Sequence, residues 1–180
     1  MKKEVNNEII EKCLSLEKEL LQYRLWGNLI PNKSWNANLR KVLPKNQWDT
    51  LRKFIYKKDS NKCFICYTSG VRLEAHEHWK YDYEHSIQKL HDINALCSMC
   101  HLNQHLGFAF QTLKNEEKIN KLIDHWCKIN NESNKNFRIY AKKVLSLWEL
   151  KNQFDWKIVD KNGKNIFKGL NFDDLMKSLK

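Results

Sequence analysis

The chain has few residues that interrupt regular structure, with two prolines and five glycines among 180 residues. Because these residue types mark turns, their scarcity predicts short loops and many helices. No run of about 18 apolar residues is present, so we expect no transmembrane helix. The first residues, Met1-Lys2-Lys3-Glu4, also lack the apolar segment of a secretory signal. These absences predict a cytoplasmic protein that does not enter a membrane.

The composition favours a folded protein that binds nucleic acid. Hydrophobic residues make up 42% of the chain, which excludes general disorder. Lysine and arginine outnumber the acidic residues 32 to 21, and the net charge is +11. Such a charge attracts DNA or RNA. The chain is also rich in asparagine, so codon bias in an AT-rich genome is a second source of the lysines.

Helical periodicity divides the chain into segments. Apolar residues recur at helical spacing over 4–26, 46–58, 98–112, 116–130 and 134–151. In the tail, Trp156–Val159, the turn Asn162-Gly163 and Ile166-Phe167 predict a β-hairpin followed by a short helix. We predict an α+β protein, mainly helical, with four parts: an N-terminal helix (1–27), a core (28–112), a helical extension (113–151) and a C-terminal hairpin with its helix (152–180).

Two Cys-x2-Cys pairs indicate a metal site. Cys63 and Cys66 form the first pair, and Cys97 and Cys100 form the second. Each pair supplies two thiolates from one turn, and four thiolates complete the tetrahedral shell that zinc prefers. A closed shell leaves no position for substrate, so this zinc would be structural. The 30 residues between the pairs are long enough for two strands.

Histidines form a second cluster close to the cysteines in sequence. The strand predicted from Val71 ends near His76 and Glu77, and the helix after the second pair carries His101 and His105 four residues apart. That spacing places both imidazoles on one helical face. His76 or Glu77 can then meet them around one divalent ion. The alternative is that these histidines only support the zinc site.

Residues 61–110 resemble the HNH, or His-Me finger, nucleases that carry a four-cysteine zinc site. The resemblance rests on the two Cys-x2-Cys pairs, Leu73-Glu74-Ala75-His76-Glu77, and His105-x-Gly107. Weaker similarity to a bacterial and phage subgroup lies in Trp35-x2-Asn38-Leu39-Arg40, Trp48-Asp49-x-Leu51-Arg52 and Trp79-x-Tyr81-Asp82. The resemblance implies a central zinc-stabilised ββα-metal motif and hydrolysis of phosphodiester bonds in DNA.

The family pattern also implies roles for single residues. The metal ligands correspond to His76, His101 and His105, and the ion would be Mg²⁺, Mn²⁺ or a similar one. The general base corresponds to Glu77, where the family has histidine, and the middle asparagine corresponds to Asp92, with Asn94 close by. Glutamate is a weak base unless burial raises its pKa.

Several alternatives remain open at this stage. His78 or His76 is an alternative base to Glu77. The basic residues Arg40, Arg52, Lys53 and Lys57 form either a surface that contacts phosphates or a merely solvated one. The missing base histidine leaves two rival functions: a non-catalytic zinc module that binds nucleic acid, and an inhibitor or adaptor that binds protein through the N-terminal helix or the C-terminal hairpin.

Overall fold

The structure is a computed structural model that describes residues 7–36 and 38–180. It confirms an α+β fold that is mainly helical, with one small three-stranded sheet. None of the helices within the described residues is long and apolar enough to cross a membrane. The elements are α1 (Asn7–Leu20), a 3₁₀ turn (Asn32–Ser34), α2 (Leu39–Val42), α3 (Lys45–Lys58), β1 (Leu73–Asp82), β2 (Ile87–Cys97), α4 (Ser98–Gln104), α5 (Leu106–Thr112), α6 (Glu116–Asn130), α7 (Asn134–Lys151), β3 (Lys157–Val159) and α8 (Phe172–Ser178).

The chain forms two compact units. One contains the described residues up to Pro31 together with Ser98–Phe154, and the other contains the described part of Asn32–Cys97 together with Asp155–Lys180. The first unit is helical, and α1 and α6 both pack against α7. The second unit holds the sheet and α3.

The sheet is built on a long antiparallel hairpin. β1 pairs with β2 from Leu73↔Cys97 to Asp82↔Ile87, which confirms the two strands expected between the cysteine pairs. β1 continues to Asp82, beyond the end expected near Glu77. The register shifts after His78, where His91 is the extra residue on β2. Such a bulge changes the strand direction locally.

The end of α3 is bonded to β2. The Asp59 carboxylate accepts a hydrogen bond from the Ala95 amide at 2.6 Å. Lys58 Nζ donates to the Ile93 carbonyl at 2.8 Å and pairs with Asp92 at 3.1 Å. These bonds hold the strand that leads into the second cysteine pair.

The helical unit packs around aromatic rings. Trp126 stacks on Tyr140 with ring centroids 4.4 Å apart, and Phe137 meets Trp126 edge-on at 5.2 Å. Trp126 and Tyr140 are fully buried. Aromatic pairs in these arrangements add to the free energy gained by burying their area. They bind α6 to α7.

Some predicted boundaries differ from the observed ones. The N-terminal helix ends at Leu20 and not near residue 26, and residues 4–6 of that prediction lie outside the described residues. The helix predicted over 98–112 is divided into α4 and α5 at His105, whose φ and ψ of −104° and 46° are not helical.

The C-terminal hairpin forms only in part. Its second arm is reduced to one isolated bridge, Val159↔Asn165, while β3 adds to the sheet parallel to β2. The Asp160 carboxylate accepts hydrogen bonds from the amides of Asn162 and Lys164, at 2.9 and 2.8 Å. These side-chain bonds hold the turn. Two backbone hydrogen bonds still join its arms, from the Asp160 amide to the Lys164 carbonyl at 2.8 Å and from the Ile166 amide to the Ile158 carbonyl at 3.2 Å. The short helix after the turn is present as α8.

Candidate metal centre

The first cysteine pair lies on a tight, well-bonded turn. The Cys63 amide donates to the Thr68 carbonyl at 2.9 Å, and the Tyr67 amide donates to the Cys63 carbonyl at 2.8 Å. Tyr67 has a φ of 59°, which closes the turn directly after Cys66. A non-glycine residue in this region indicates that the surrounding bonds determine the conformation. The turn thus presents two thiols from one short loop.

The second pair spans the transition from strand to helix. Cys97 is the last residue of β2, and Cys100 lies in the first turn of α4, which begins at Ser98. Cys97 is 8% exposed, and Cys100 is fully buried. This continuous segment places a strand end and a helix start beside each other.

The four thiols form one compact group. The sulfur atoms of Cys63, Cys66, Cys97 and Cys100 lie 3.5–3.9 Å from one another. A tetrahedron with Zn–S bonds of about 2.3 Å has sulfur–sulfur edges of about 3.8 Å, so the spacing fits a tetrahedral ion. None of the four cysteines is in a disulfide bond, and the Cys66–Cys97 distance of 3.6 Å is far longer than such a bond. The group therefore has the geometry and the donor atoms to bind a metal.

Two of the four sulfur atoms have polar side chains within hydrogen-bonding distance. The Thr68 hydroxyl lies 3.3 Å from Cys66 Sγ, and His125 Nε2 lies 3.1 Å from Cys100 Sγ. If a metal deprotonated the thiols, both groups would donate hydrogen bonds to sulfur. We found no sequence motif that predicts the His125 contact, because His125 lies 25 residues after Cys100 with no spacing relation to either pair.

Three histidines form the second donor group. The ring nitrogens of His76, His101 and His105 lie within 4.8 Å of one another. The rings of His101 and His105 meet edge-on with centroids 4.7 Å apart. His105 directly follows the last residue of α4, and its amide still donates to the His101 carbonyl at 3.2 Å. His76 is buried, and the other two are partly buried.

The protonation state of His101 suits metal binding. Burial lowers the pKa of His101 to about 4. At neutral pH its ring is uncharged, and the neutral imidazole is the form that binds a metal. The donor set of three imidazoles suits a divalent transition ion.

The two candidate bases face different surroundings. Glu77 accepts a hydrogen bond from the Leu39 amide at 2.9 Å, and burial raises the pKa of its carboxyl. His78 lies beside His76, with ring centroids 4.9 Å apart, and burial lowers its pKa to about 4. Glu77 is thus bonded to the start of α2, whereas His78 lies next to a member of the histidine group.

The residues at the middle position of the HNH pattern lie opposite these side chains. Asp92 pairs in register with His78, and Asn94 pairs with His76. Burial raises the pKa of Asp92, but the Ile93 amide and Lys58 outweigh it and keep the pKa below its usual value. Asn94 is 3% exposed and donates to Asp92 at 3.4 Å. Asn94 is the residue directly across the strand pair from His76.

The basic residues predicted to contact nucleic acid are on α2 and α3. Arg40, Lys53 and Lys57 are exposed. Arg52 is partly buried, and its Nε donates to Asp49 at 2.8 Å. Three of the four charges therefore face solvent, and the fourth is paired within its own helix.

The structure brings the predicted ligands into two donor groups, and it leaves Glu77 bonded elsewhere. Four thiols form the first group and three imidazoles the second, all from the segment 63–105. Within the described residues, no further group of this kind was found. No protein-family model, curated protein or solved structure matches this chain.

Proposed function

We propose that this chain is a metal-dependent endonuclease of the HNH type that hydrolyses phosphodiester bonds of DNA. The observation that carries the proposal is the presence of two donor groups of different chemistry within residues 63–105. Four thiolates would hold a structural zinc with a closed shell. Three imidazoles would hold a second divalent ion with positions left for substrate.

The residues around the second group would divide the chemistry among them. His76, His101 and His105 would hold the ion, which when bound neutralises charge that develops on the phosphate. A neighbouring side chain would take the proton of the attacking water. Glu77 and His78 are the candidates for this step, with His76 as a third.

The charge distribution supports a nucleic-acid substrate. Residues 40–62 carry eight basic and two acidic side chains, so the region around α2 and α3 is strongly positive. Exposed Arg40, Lys53 and Lys57 can each bind a phosphate. The whole chain, at +11, would also attract DNA over longer distances.

Plasmid cleavage tests the proposal. Wild-type protein is incubated with DNA and Mg²⁺ or Mn²⁺, and compared with His101→Ala and His85→Ala. His85 is an exposed residue at the β1–β2 turn that hydrogen-bonds Asp82 at 2.8 Å, so its variant is a matched histidine control. We expect His101→Ala to lose cleavage and His85→Ala to retain it. Equal cleavage by all three proteins would contradict the role of His101.

The identity of the base can be tested separately. Glu77→Gln preserves the hydrogen bond from Leu39, since the amide oxygen still accepts, but removes the carboxylate. His78→Gln removes the imidazole. The variant that loses cleavage while keeping its metal content identifies the base. If both cleave as well as wild type, His76 becomes the candidate.

One observation favours a second function, the non-catalytic binding module. The Glu77 carboxylate at the base position is already bonded to the Leu39 amide. Salt-dependent DNA affinity without hydrolysis in any divalent metal would select this function. If the chain neither binds nor cleaves DNA, and another protein co-purifies with it stably, the adaptor function is favoured.

A further inference from the structure

The loop that carries the first cysteine pair exposes two aromatic rings. Phe64 is 50% exposed, and Tyr67 is 66% exposed, the largest value among the exposed large hydrophobic residues of the described chain. The two are three residues apart on one turn and surround Cys66 in sequence. An exposed aromatic ring does not gain the free energy that burial would provide. A pair of such rings on one short loop therefore indicates a binding surface.

The loop is held in one conformation. The Phe64 amide donates to the Ala95 carbonyl of β2 at 2.8 Å. Lys62 and Ser69 form a β-bridge that joins the two sides of the loop. Together with the bonds inside the turn, these contacts present both rings without the entropy loss of ordering a flexible loop on binding.

The charged side chains within the loop are all positive, and the first acidic residue after it is Glu74 on β1. Lys62 and Arg72 are exposed, and residues 60–73 contain no acidic side chain. The acidic residue before the loop is Asp59, and its carboxylate accepts a hydrogen bond from the Ala95 amide. Aromatic rings next to the positive charges of Lys62 and Arg72 suit a partner with flat rings and phosphates, and they do not suit a purely apolar protein surface.

We propose that this loop, Lys62–Arg72, binds unpaired nucleotides of DNA, whose bases stack on Phe64 and Tyr67 while Lys62 and Arg72 bind the phosphates. Stacking is tolerant of sequence because every base has a π-face. The inference rests on the proposed function in one respect, that DNA is the substrate. It adds that the protein prefers sites where bases are unpaired.

Binding of a fluorescent oligonucleotide tests this surface. The zinc-loaded full chain is titrated, without added Mg²⁺ or Mn²⁺, against a single-stranded DNA and the matching duplex. We expect tighter binding to the single strand. We also expect Phe64→Ala and Tyr67→Ala each to weaken that binding by roughly tenfold.

Two variants separate stacking from general apolar contact and from loss of folding. Tyr67→Phe keeps the ring and should bind like wild type, whereas Phe64→Leu keeps apolar volume and should bind as weakly as Phe64→Ala. Phe167→Ala removes a ring that is 54% exposed in the tail and should bind like wild type. Zinc content and circular dichroism of each variant confirm that the loop is intact.

The proposal is overturned if Phe64→Ala and Tyr67→Ala, with zinc and fold intact, bind single-stranded DNA like wild type. It is also overturned if duplex binds as tightly as single strand, or if no DNA is bound. Its failure is distinguishable from failure of the proposed nuclease. A protein that binds through these rings but never cleaves removes the nuclease alone, and one that cleaves without needing the rings removes this surface alone.

Discussion

His125 Nε2 lies 3.1 Å from Cys100 Sγ, so a helix outside both cysteine pairs contacts a predicted zinc ligand. A hydrogen bond to a ligating sulfur orients it and reduces its negative charge. The contact therefore connects α6 to the cysteine at the start of α4.

Replacing His125 should weaken zinc binding. We expect His125→Ala to lower zinc affinity by about 10- to 100-fold, the usual effect of losing a group that bonds a metal ligand. Competition with a chromophoric chelator measures the affinity, and His85→Ala on the exposed turn is the control. An unchanged affinity would show that the 3.1 Å contact does not act on the metal.

Gly27 should not tolerate a side chain. A Cβ at this position would lie 3.0 Å from the Asn103 carbonyl oxygen and 3.4 Å from the Tyr140 hydroxyl, which the Gly27 amide already bonds. Because both groups are packed, we expect Gly27→Ala to lower the free energy of unfolding by about 1–3 kcal/mol in denaturant titration.

Gly107 provides the matched control for that experiment. It lies within α5, and an added Cβ would meet only Leu29 Cδ1 at an ordinary 3.6 Å. Gly107→Ala should be neutral or should raise the free energy of unfolding by up to about 1 kcal/mol. Equal destabilisation by both substitutions would contradict the close approach at Gly27.

Lys151 should make stability depend on alkaline pH. It is 1% exposed, its Nζ donates to Asn28 Oδ1 at 2.7 Å, and it pairs with Glu17 at 3.3 Å. Burial lowers its pKa from 10.5 to about 8, although Glu17 opposes the change. Between these two values the unfolded chain holds the proton and the folded chain has released it, so stability rises with pH.

The comparison with Lys151→Met isolates this effect. From neutral pH to about pH 10.5, the free energy of unfolding of wild type should increase relative to the variant by up to about 3 kcal/mol. Denaturant titrations at several pH values measure the difference. A constant difference across this range would mean that the lysine stays protonated in the folded state.

The sequence predicted the parts of the fold that depend on local patterns. The bounds of α6 and α7 agree with the predicted 116–130 and 134–151, because both helices have strong apolar periodicity. Ser133 caps α7, since its side chain accepts a hydrogen bond from the Asn136 amide. The grouping of the four cysteines followed from ligand spacing alone.

The prediction and the structure differ where side-chain hydrogen bonds, or contacts between residues distant in sequence, determine the conformation. The second arm of the hairpin forms only in part, and the Asp160 side chain accepts hydrogen bonds from the Asn162 and Lys164 amides at the turn. β1 continues to Asp82 because β2 pairs with it along that length, although burial does not alternate cleanly there. The Glu77–Leu39 and His125–Cys100 contacts join residues 38 and 25 positions apart, so no short motif contains them.

The histidine group should prefer transition ions to Mg²⁺. Imidazole nitrogens bind Mn²⁺, Co²⁺, Ni²⁺ and Zn²⁺ better than the oxygen-seeking Mg²⁺. Within the described residues the group contains no carboxylate. We expect half-maximal cleavage at a lower concentration of Mn²⁺, Co²⁺ or Ni²⁺ than of Mg²⁺. Equal requirements, measured in one buffer, would mean that His76, His101 and His105 are not the ligands.

The metal content of the purified, reduced chain shows whether the four thiols bind zinc. Elemental analysis should find one tightly held zinc per chain, and substitution with Co²⁺ should produce the thiolate charge-transfer bands of a tetrahedral site. The Cys100→Ser variant should lose the bound zinc and the Co²⁺ bands. Cys127 lies outside the four-thiol group, so the Cys127→Ser variant should retain the zinc and the bands. A wild-type chain that binds no transition metal, or that keeps its fold and melting temperature unchanged after chelation, would rule out a structural zinc at these cysteines.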